Sequence, residues 1–162
     1  MNDESCHWAA LERTGFFGEE AAGCIVLARS TGRILLAHRS DNPPPFDVQE
    51  PGTWGCWSGA LEEGETPLAC ALREIHEEAG YQGDVVEIHP LYVFANPEKT
   101  FRFKNFLFVV GREFEPTLNW KNQGYRWCEF GHWPAPLHFG LEALFADPAS
   151  VQIIRQVLRT DT

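Results

Sequence analysis

Runs of aliphatic and β-branched residues separated by short polar turns predict a sheet. Residues 22–28 and 34–38 flank Ser30-Thr31-Gly32 and read as a hairpin of two well-buried strands. Phe101, Phe103, Phe106 and Phe108, followed by Val109 and Val110, mark another strand after the polar turn 96–100. Residues 85–94 make its antiparallel neighbour, and 125–130 a shorter strand. Two segments carry a helical pattern instead. In the first, Thr66 offers an N-cap oxygen, Pro67 suits the first helical position, and Gly80 supplies a left-handed C-terminal residue. In the second, residues 149–160, Val151, Ile154, Val157 and Leu158 form one apolar stripe that should close the chain against the sheet. Strands interleaved with helices predict an α/β (α+β) sandwich. Asp41-Asn42-Pro43-Pro44-Pro45 opens a semi-rigid loop, 41–52, and not a domain boundary.

The first helix carries a further pattern. At about 100° per residue, Leu68, Leu72, Ile75 and Ala79 share one narrow arc, expected to face the core. Glu74, Glu77 and Glu78, spaced i, i+3, i+4, stack on another face centred roughly 140° away. Like charges so placed repel by roughly 0.2–0.5 kcal/mol per pair, which calls for a counterion or for full solvation. Taken alone, the run reads as a solvated acidic face, since glutamate forms helices readily.

Composition narrows the class. The chain has 162 residues, 44% hydrophobic and 22% charged, which suits one globular domain over 1–162, with residues 1–18 as an arm or a dimer contact. No apolar run approaches the roughly 18–20 residues of a membrane span. The opening Met1-Asn2-Asp3-Glu4 lacks the basic and apolar parts of a secretory leader, so a cytoplasmic location is expected. Five cysteines form no CxxC pair and suggest reduced structural thiols. A formal charge of −10 disfavours binding to a nucleic-acid backbone, although phosphates can still be handled through cations.

The acidic helix follows a glycine-rich turn, 55–64. Together they read Gly59, five residues, Glu65, seven residues, Arg73-Glu74-Ile75, His76, Glu77-Glu78, Ala79, Gly80-Tyr81. This resembles the signature of the Nudix hydrolases, G, five residues, E, seven residues, R-E-U-x-E-E-x-G-U, where U is hydrophobic. Every fixed position is present, and an accidental match is on the order of 10⁻⁹ per starting point. Tyr81 is bulkier than the usual aliphatic residue, and Ser58 stands where many relatives carry a second glycine. Gly52-Thr53-Trp54 and the flanking strands resemble the family's lead-in.

The resemblance implies a Nudix-type α/β/α sandwich with a mixed β-sheet. It implies a pyrophosphohydrolase that uses Mg²⁺, or Mn²⁺, to cleave a diphosphate linkage in a nucleoside diphosphate joined to another moiety. A small nucleotide is the expected partner, RNA less so given the acidic balance, and a homodimer would be common for the family. Carried over, the metal ligands are Glu74, Glu77 and Glu78 with the carbonyl of Gly59. Arg73 and Glu77 form the catalytic set, Arg73 as the partner that holds a glutamate in place. Glu65 and Gly80 are structural positions of the motif. Hard divalent cations favour such oxygen ligands.

The general base stays open: Glu77 is first choice, with Glu98, Glu113, Glu115 and Glu129 as alternatives. Many relatives carry an outside glutamate before a tryptophan-containing strand, whereas here 118–123 holds Lys121 and no acid. Arg39, at the end of the second strand, is a candidate for a substrate phosphate. Arg102 and Lys104 share a strand face and are weaker candidates; Phe46, Trp54, Trp57 and Trp120 offer stacking surfaces. His38, His76, His89 and His138 lack metal-ligand spacing and read as structural or exposed. Two other readings use the same fold: a nucleotide-sensing module without turnover, and an isoprenoid diphosphate isomerase.

Overall fold

The computed structural model describes residues 20–41, 50–97 and 100–160. The expected arm at 1–18, most of the proline loop and Glu98 lie outside them. The strands are β1 (Glu20–Ala28), β2 (Ile34–Arg39), β3 (Trp54–Gly55), β4 (Trp57–Ala60), β5 (Glu87–Ala95), β6 (Arg102–Val110) and β7 (Asn122–Cys128). The helices are α1 (Pro67–Ala79), α2 (Phe139–Ala146) and α3 (Pro148–Thr160). The sheet runs β3-β2-β1-β6-β5, with β4 also on β1 and β7 on β2. Among the described strands the central pair β1 and β6 is parallel and the other strand pairings are antiparallel, so the sheet is mixed.

Alternation along the central strands builds two cores. Cys24, Val26 and Ala28 of β1, with Leu35 and Ala37 of β2 and Phe106, Phe108 and Val110 of β6, pack on Cys70, Ala71, Ile75 and Ala79 of α1. The intervening Ile25, Leu27, Ile34, Leu36, Leu107 and Val109 pack on Leu141 and Leu144 of α2 and on Ile154 and Val157 of α3. Both faces are therefore covered, which is why these strands read as continuous apolar runs. The architecture is the expected α/β/α sandwich. Among the described residues no helix is long and apolar enough to cross a membrane.

Three segments differ from the sequence-based expectation. The 55–64 turn takes in β4 and the end of β3, held as strands because they pair with β1 and β2. The strand expected at 125–130 begins at Asn122, where antiparallel pairing with β2 brings Asn122 opposite Arg39. Helix α2 carries apolar residues on most of its circumference, so it shows no amphipathic period. Its N-cap is His138, outside the usual Ser, Thr, Asp and Asn set: the ring Nδ1 accepts from the Gly140 N–H at 3.0 Å.

That cap makes α2 sensitive to acid. Burial, reinforced by the positive charge of Arg39, lowers the His138 pKa to about 3. Glu50 Oε2, 4.0 Å from Nε2, is the facing acid, and it also accepts from the Phe139 N–H at 2.9 Å. The folded chain thus keeps this ring neutral while the unfolded chain protonates it near pH 6.5, so its share of stability is present above 6.5 and drains away toward pH 3. Between pH 7 and 5 the wild type should lose about 2 kcal/mol more unfolding free energy than His138→Asn, which caps without titrating. Urea unfolding of both proteins across that range measures the difference.

Candidate active site

Two close approaches bring the turn to the helix. Gly23 of β1 pairs with Ser58 of β4, and a Cβ on Gly23 would meet Ser58 Cβ at 2.5 Å and the Trp57 carbonyl at 2.6 Å. One pair further on, Ala22 faces Gly59, and a Cβ on Gly59 would lie 2.1 Å from Glu74 Oε1. Glycine at 59 therefore makes room for a carboxylate. Helix α1 is fixed at both ends as its sequence suggests: Thr66 Oγ1 accepts from the Ala69 N–H at 3.1 Å, and Gly80 has φ 67°. The exit is anchored by the Thr117 N–H donating to the Ala79 carbonyl at 2.8 Å.

The helix is rolled relative to its apolar stripe. Its buried residues are Cys70, Ala71, Glu74, Ile75, Glu78 and Ala79, an arc centred roughly 80° from the Leu68/Leu72/Ile75/Ala79 stripe, toward the acids. Leu72 is 38% exposed, while Glu74 and Glu78 are each only 3% exposed. The expectation of an apolar face opposite a solvated acidic ridge is thus corrected: two of the three glutamates lie beneath the helix. The reason is tertiary. Small residues at Cys70, Ala71 and Gly59 let the helix sit close to β4, and polar partners inside the resulting pocket compensate the carboxylates.

Arg73 is the hub of that compensation. Its guanidinium donates through Nε and Nη2 to the two oxygens of Glu65 at 2.8 and 2.9 Å, and through Nη2 to the Ala60 carbonyl at 3.1 Å. Nη1 donates to Glu74 Oε1 at 2.8 Å and to Glu77 Oε2 at 3.1 Å. The pairing with Arg73 draws the Glu65 carboxyl down to about 2. From the other side, Lys121 Nζ lies 3.4 Å from Glu74 Oε2, and Asn122 Nδ2 donates to Glu78 Oε1 at 3.2 Å. Glu78 Oε2 is buried with no hydrogen-bond partner. Burial pushes the Glu78 pKa well up, aided by Glu74 and opposed by Lys121 and Arg39.

Among the described residues no three His, Cys, Asp or Glu side chains converge tightly enough to cage an ion as they stand. Mg²⁺ does not need such a cage: it keeps several waters and takes one or two carboxylates. The orphaned oxygen of Glu78, the adjacent Glu74 and the cleared space at Gly59 are an oxygen-only donor set that fits a hard divalent cation. Glu77, with its side chain 49% exposed, borders this pocket from the solvent side. The Gly59 carbonyl accepts from the Cys70 thiol at 3.3 Å.

Other candidates fall in different places. Arg39 shares the α1 side of β2 with Leu35 and Ala37; its guanidinium lies over Gly55, and its charge reaches Glu78. Glu113 is held by Arg33 at 2.6 and 2.7 Å and by Thr31 at 2.6 Å, beside the β1–β2 hairpin. That hairpin is at the end of β1 remote from Gly59, about 20 Å along the strand. Glu129 follows β7 near the same end and pairs with His132; Glu115 is exposed. The structure brings none of these three to Glu74 and Glu78. Lys104 lies 5.5 Å over the Phe106 ring, and Trp54 stacks on His38 with centroids 4.2 Å apart. Cys24, Cys56, Cys70 and Cys128 are free thiols whose pKa values burial raises. Sequence reasoning missed Asn122 as a site residue. Its only signal was its place beside Lys121.

A glycine-cleared turn and an acidic helix, set over a mixed sheet between two helical layers, define the class. The chain belongs to the Nudix family: the model of the NUDIX domain matches residues 19–147. An RNA pyrophosphohydrolase from Gluconobacter oxydans is 43% identical over 58 residues, which cover 36% of this chain and 30% of that protein. An ADP-sugar pyrophosphatase from Mus musculus is 54% identical over 33 residues, covering 20% of this chain and 15% of that one. The chain thus spans under a third of the length of these relatives. A Nudix hydrolase from M. smegmatis has the same fold, with TM-score 0.62 and 24% identity over 90% of this chain and 89% of that one.

Proposed function

We propose that this chain is a divalent-cation-dependent hydrolase that cleaves the diphosphate linkage of a small nucleotide carrying a second moiety. The observation that carries the reading is the buried pair Glu74 and Glu78, with Glu78 Oε2 left without a partner beside the space at Gly59. The two relatives named for their activity carry names of chemically different molecules, RNA and an ADP-sugar; a pyrophosphate bond is what those names share.

In this reading Glu74, Glu78 and the Gly59 carbonyl hold Mg²⁺ or Mn²⁺, with Glu77 reaching in from solvent. When bound, the ion supplies an activated water and offsets charge on the phosphate oxygens. Arg73 orients Glu74 and Glu77, and Glu65 in turn holds Arg73 in a two-point grip. Arg39 draws a substrate phosphate toward the pocket mouth. Glu77 is the exposed carboxylate placed to accept the water's proton.

Purified protein incubated with Mg²⁺ and a panel of nucleoside diphosphate sugars, dinucleoside polyphosphates, nucleoside triphosphates and 5′-triphosphate RNA tests this directly. Two phosphate-bearing products from at least one small nucleotide, lost in chelator, are expected. No turnover of any member would overturn it. Gly59→Ala adds a probe of the pocket. The new methyl must displace the Glu74 carboxylate, so activity should fall about 100-fold while the melting temperature shifts little, because the displaced atoms end a side chain. Wild-type activity in this variant would remove Glu74 from its assigned place.

A further inference from the structure

Lys121 lies in the acid-free window 118–123, and its surroundings make it a fixed charge. Lys121 N–H donates to Asn119 Oδ1 at 3.0 Å, and Asn119 Nδ2 donates to the Glu77 carbonyl at 3.3 Å, tying the loop to α1. On the other side Ser40 N–H donates to the Lys121 carbonyl at 3.0 Å, and Ser40 Oγ donates to the Trp120 carbonyl at 2.6 Å. The next residue, Asn122, is locked into β7 opposite Arg39 and donates to Glu78. From this clamped backbone the ammonium extends to Glu74 Oε2 at 3.4 Å, with the side chain only 21% exposed. The Trp120 ring lies 5.9 Å from Nζ. The lysine is therefore not a solvated surface charge.

We propose that the Lys121 ammonium is a built-in cation of this site, neutralising Glu74 in place of one divalent ion, so that the chain takes up fewer divalent ions, and holds them more weakly, than its carboxylates would recruit without it. Two unit charges a few ångströms apart in a partly buried site interact strongly enough to change ion affinity by an order of magnitude or more. The inference rests on the proposed function only in taking Glu74 and Glu78 as ligands for a divalent ion.

Mn²⁺ binding to the full chain without nucleotide, read from the electron paramagnetic resonance signal of free Mn²⁺, tests it. Lys121→Met and Lys121→Gln should bind Mn²⁺ about tenfold or more tightly than wild type, or take up a further ion per chain, while Lys121→Arg stays close to wild type. The gain should vanish when Glu74→Gln is added. Thermal melts establish that each variant is folded, and the polar and apolar replacements back each other up. Isotherms of Lys121→Met and Lys121→Gln identical to wild type would overturn the proposal, as would unchanged isotherms with a raised KM, which would make Lys121 a substrate clamp. Turnover by wild type with unchanged Mn²⁺ isotherms removes the Lys121 role alone. A gain in Mn²⁺ binding without turnover of any nucleotide removes the hydrolase and leaves the built-in cation.

Discussion

In Glu78→Gln, nucleotide turnover is expected to fall by on the order of 10³-fold while the chain stays folded. The replacement keeps the shape of the side chain and an oxygen for the Asn122 amide, which donates to Glu78 Oε1 at 3.2 Å. It removes the ionisable group from the buried carboxylate that, among the described residues, has an oxygen without a partner. Removing that group costs the fold little, since a buried carboxylate without full compensation is itself unfavourable. Thermal melts add an independent readout. Wild-type protein should melt higher in Mg²⁺, because a ligand that binds only the folded state stabilises it, and Glu78→Gln should not respond. Equal activity, or an equal Mg²⁺ response, would remove Glu78 from the proposed site.

Arg73→Lys is expected to damage both stability and turnover. The guanidinium serves Glu65, Glu74, Glu77 and the Ala60 carbonyl at once, and a lysine ammonium cannot reproduce the two-point grip on Glu65. With the arginine side chain 22% exposed, solvent takes up part of the loss, so the cost should be roughly 2 kcal/mol and not the full penalty of a deeply buried pair. Turnover should fall about 10- to 100-fold, the usual effect of losing a partner that orients a ligand. Denaturant unfolding and steady-state kinetics on the same preparation measure the two effects. A stability loss without a kinetic one would make Arg73 a brace for the loop alone.

The contrast between Thr66 and His138 explains which elements the sequence announces. Thr66, Pro67 and Gly80 act through bonds within a few residues, so the bounds of α1 could be read from neighbours alone. His138 also caps α2 by accepting a nearby backbone N–H, that of Gly140 two residues on, but histidine has no strong prior for that role and the helix has no polar face to give it a period. The two short strands at the glycine-rich turn exist only because β1 and β2 supply partners.

The amino-acid order by itself determined the hairpin, the span of α1 and the family signature, because each depends on local dihedral preferences or on a spacing along one element. Tertiary packing decided the rest. The roll of α1 that buries Glu74 and Glu78 follows from how closely β4 approaches at Gly23 and Gly59, and the arrival of Lys121 and Asn122 follows from β7 pairing with β2. Both are contacts between residues distant in the chain, and a helical period records where side chains point around an axis, not which neighbour that axis is pressed against.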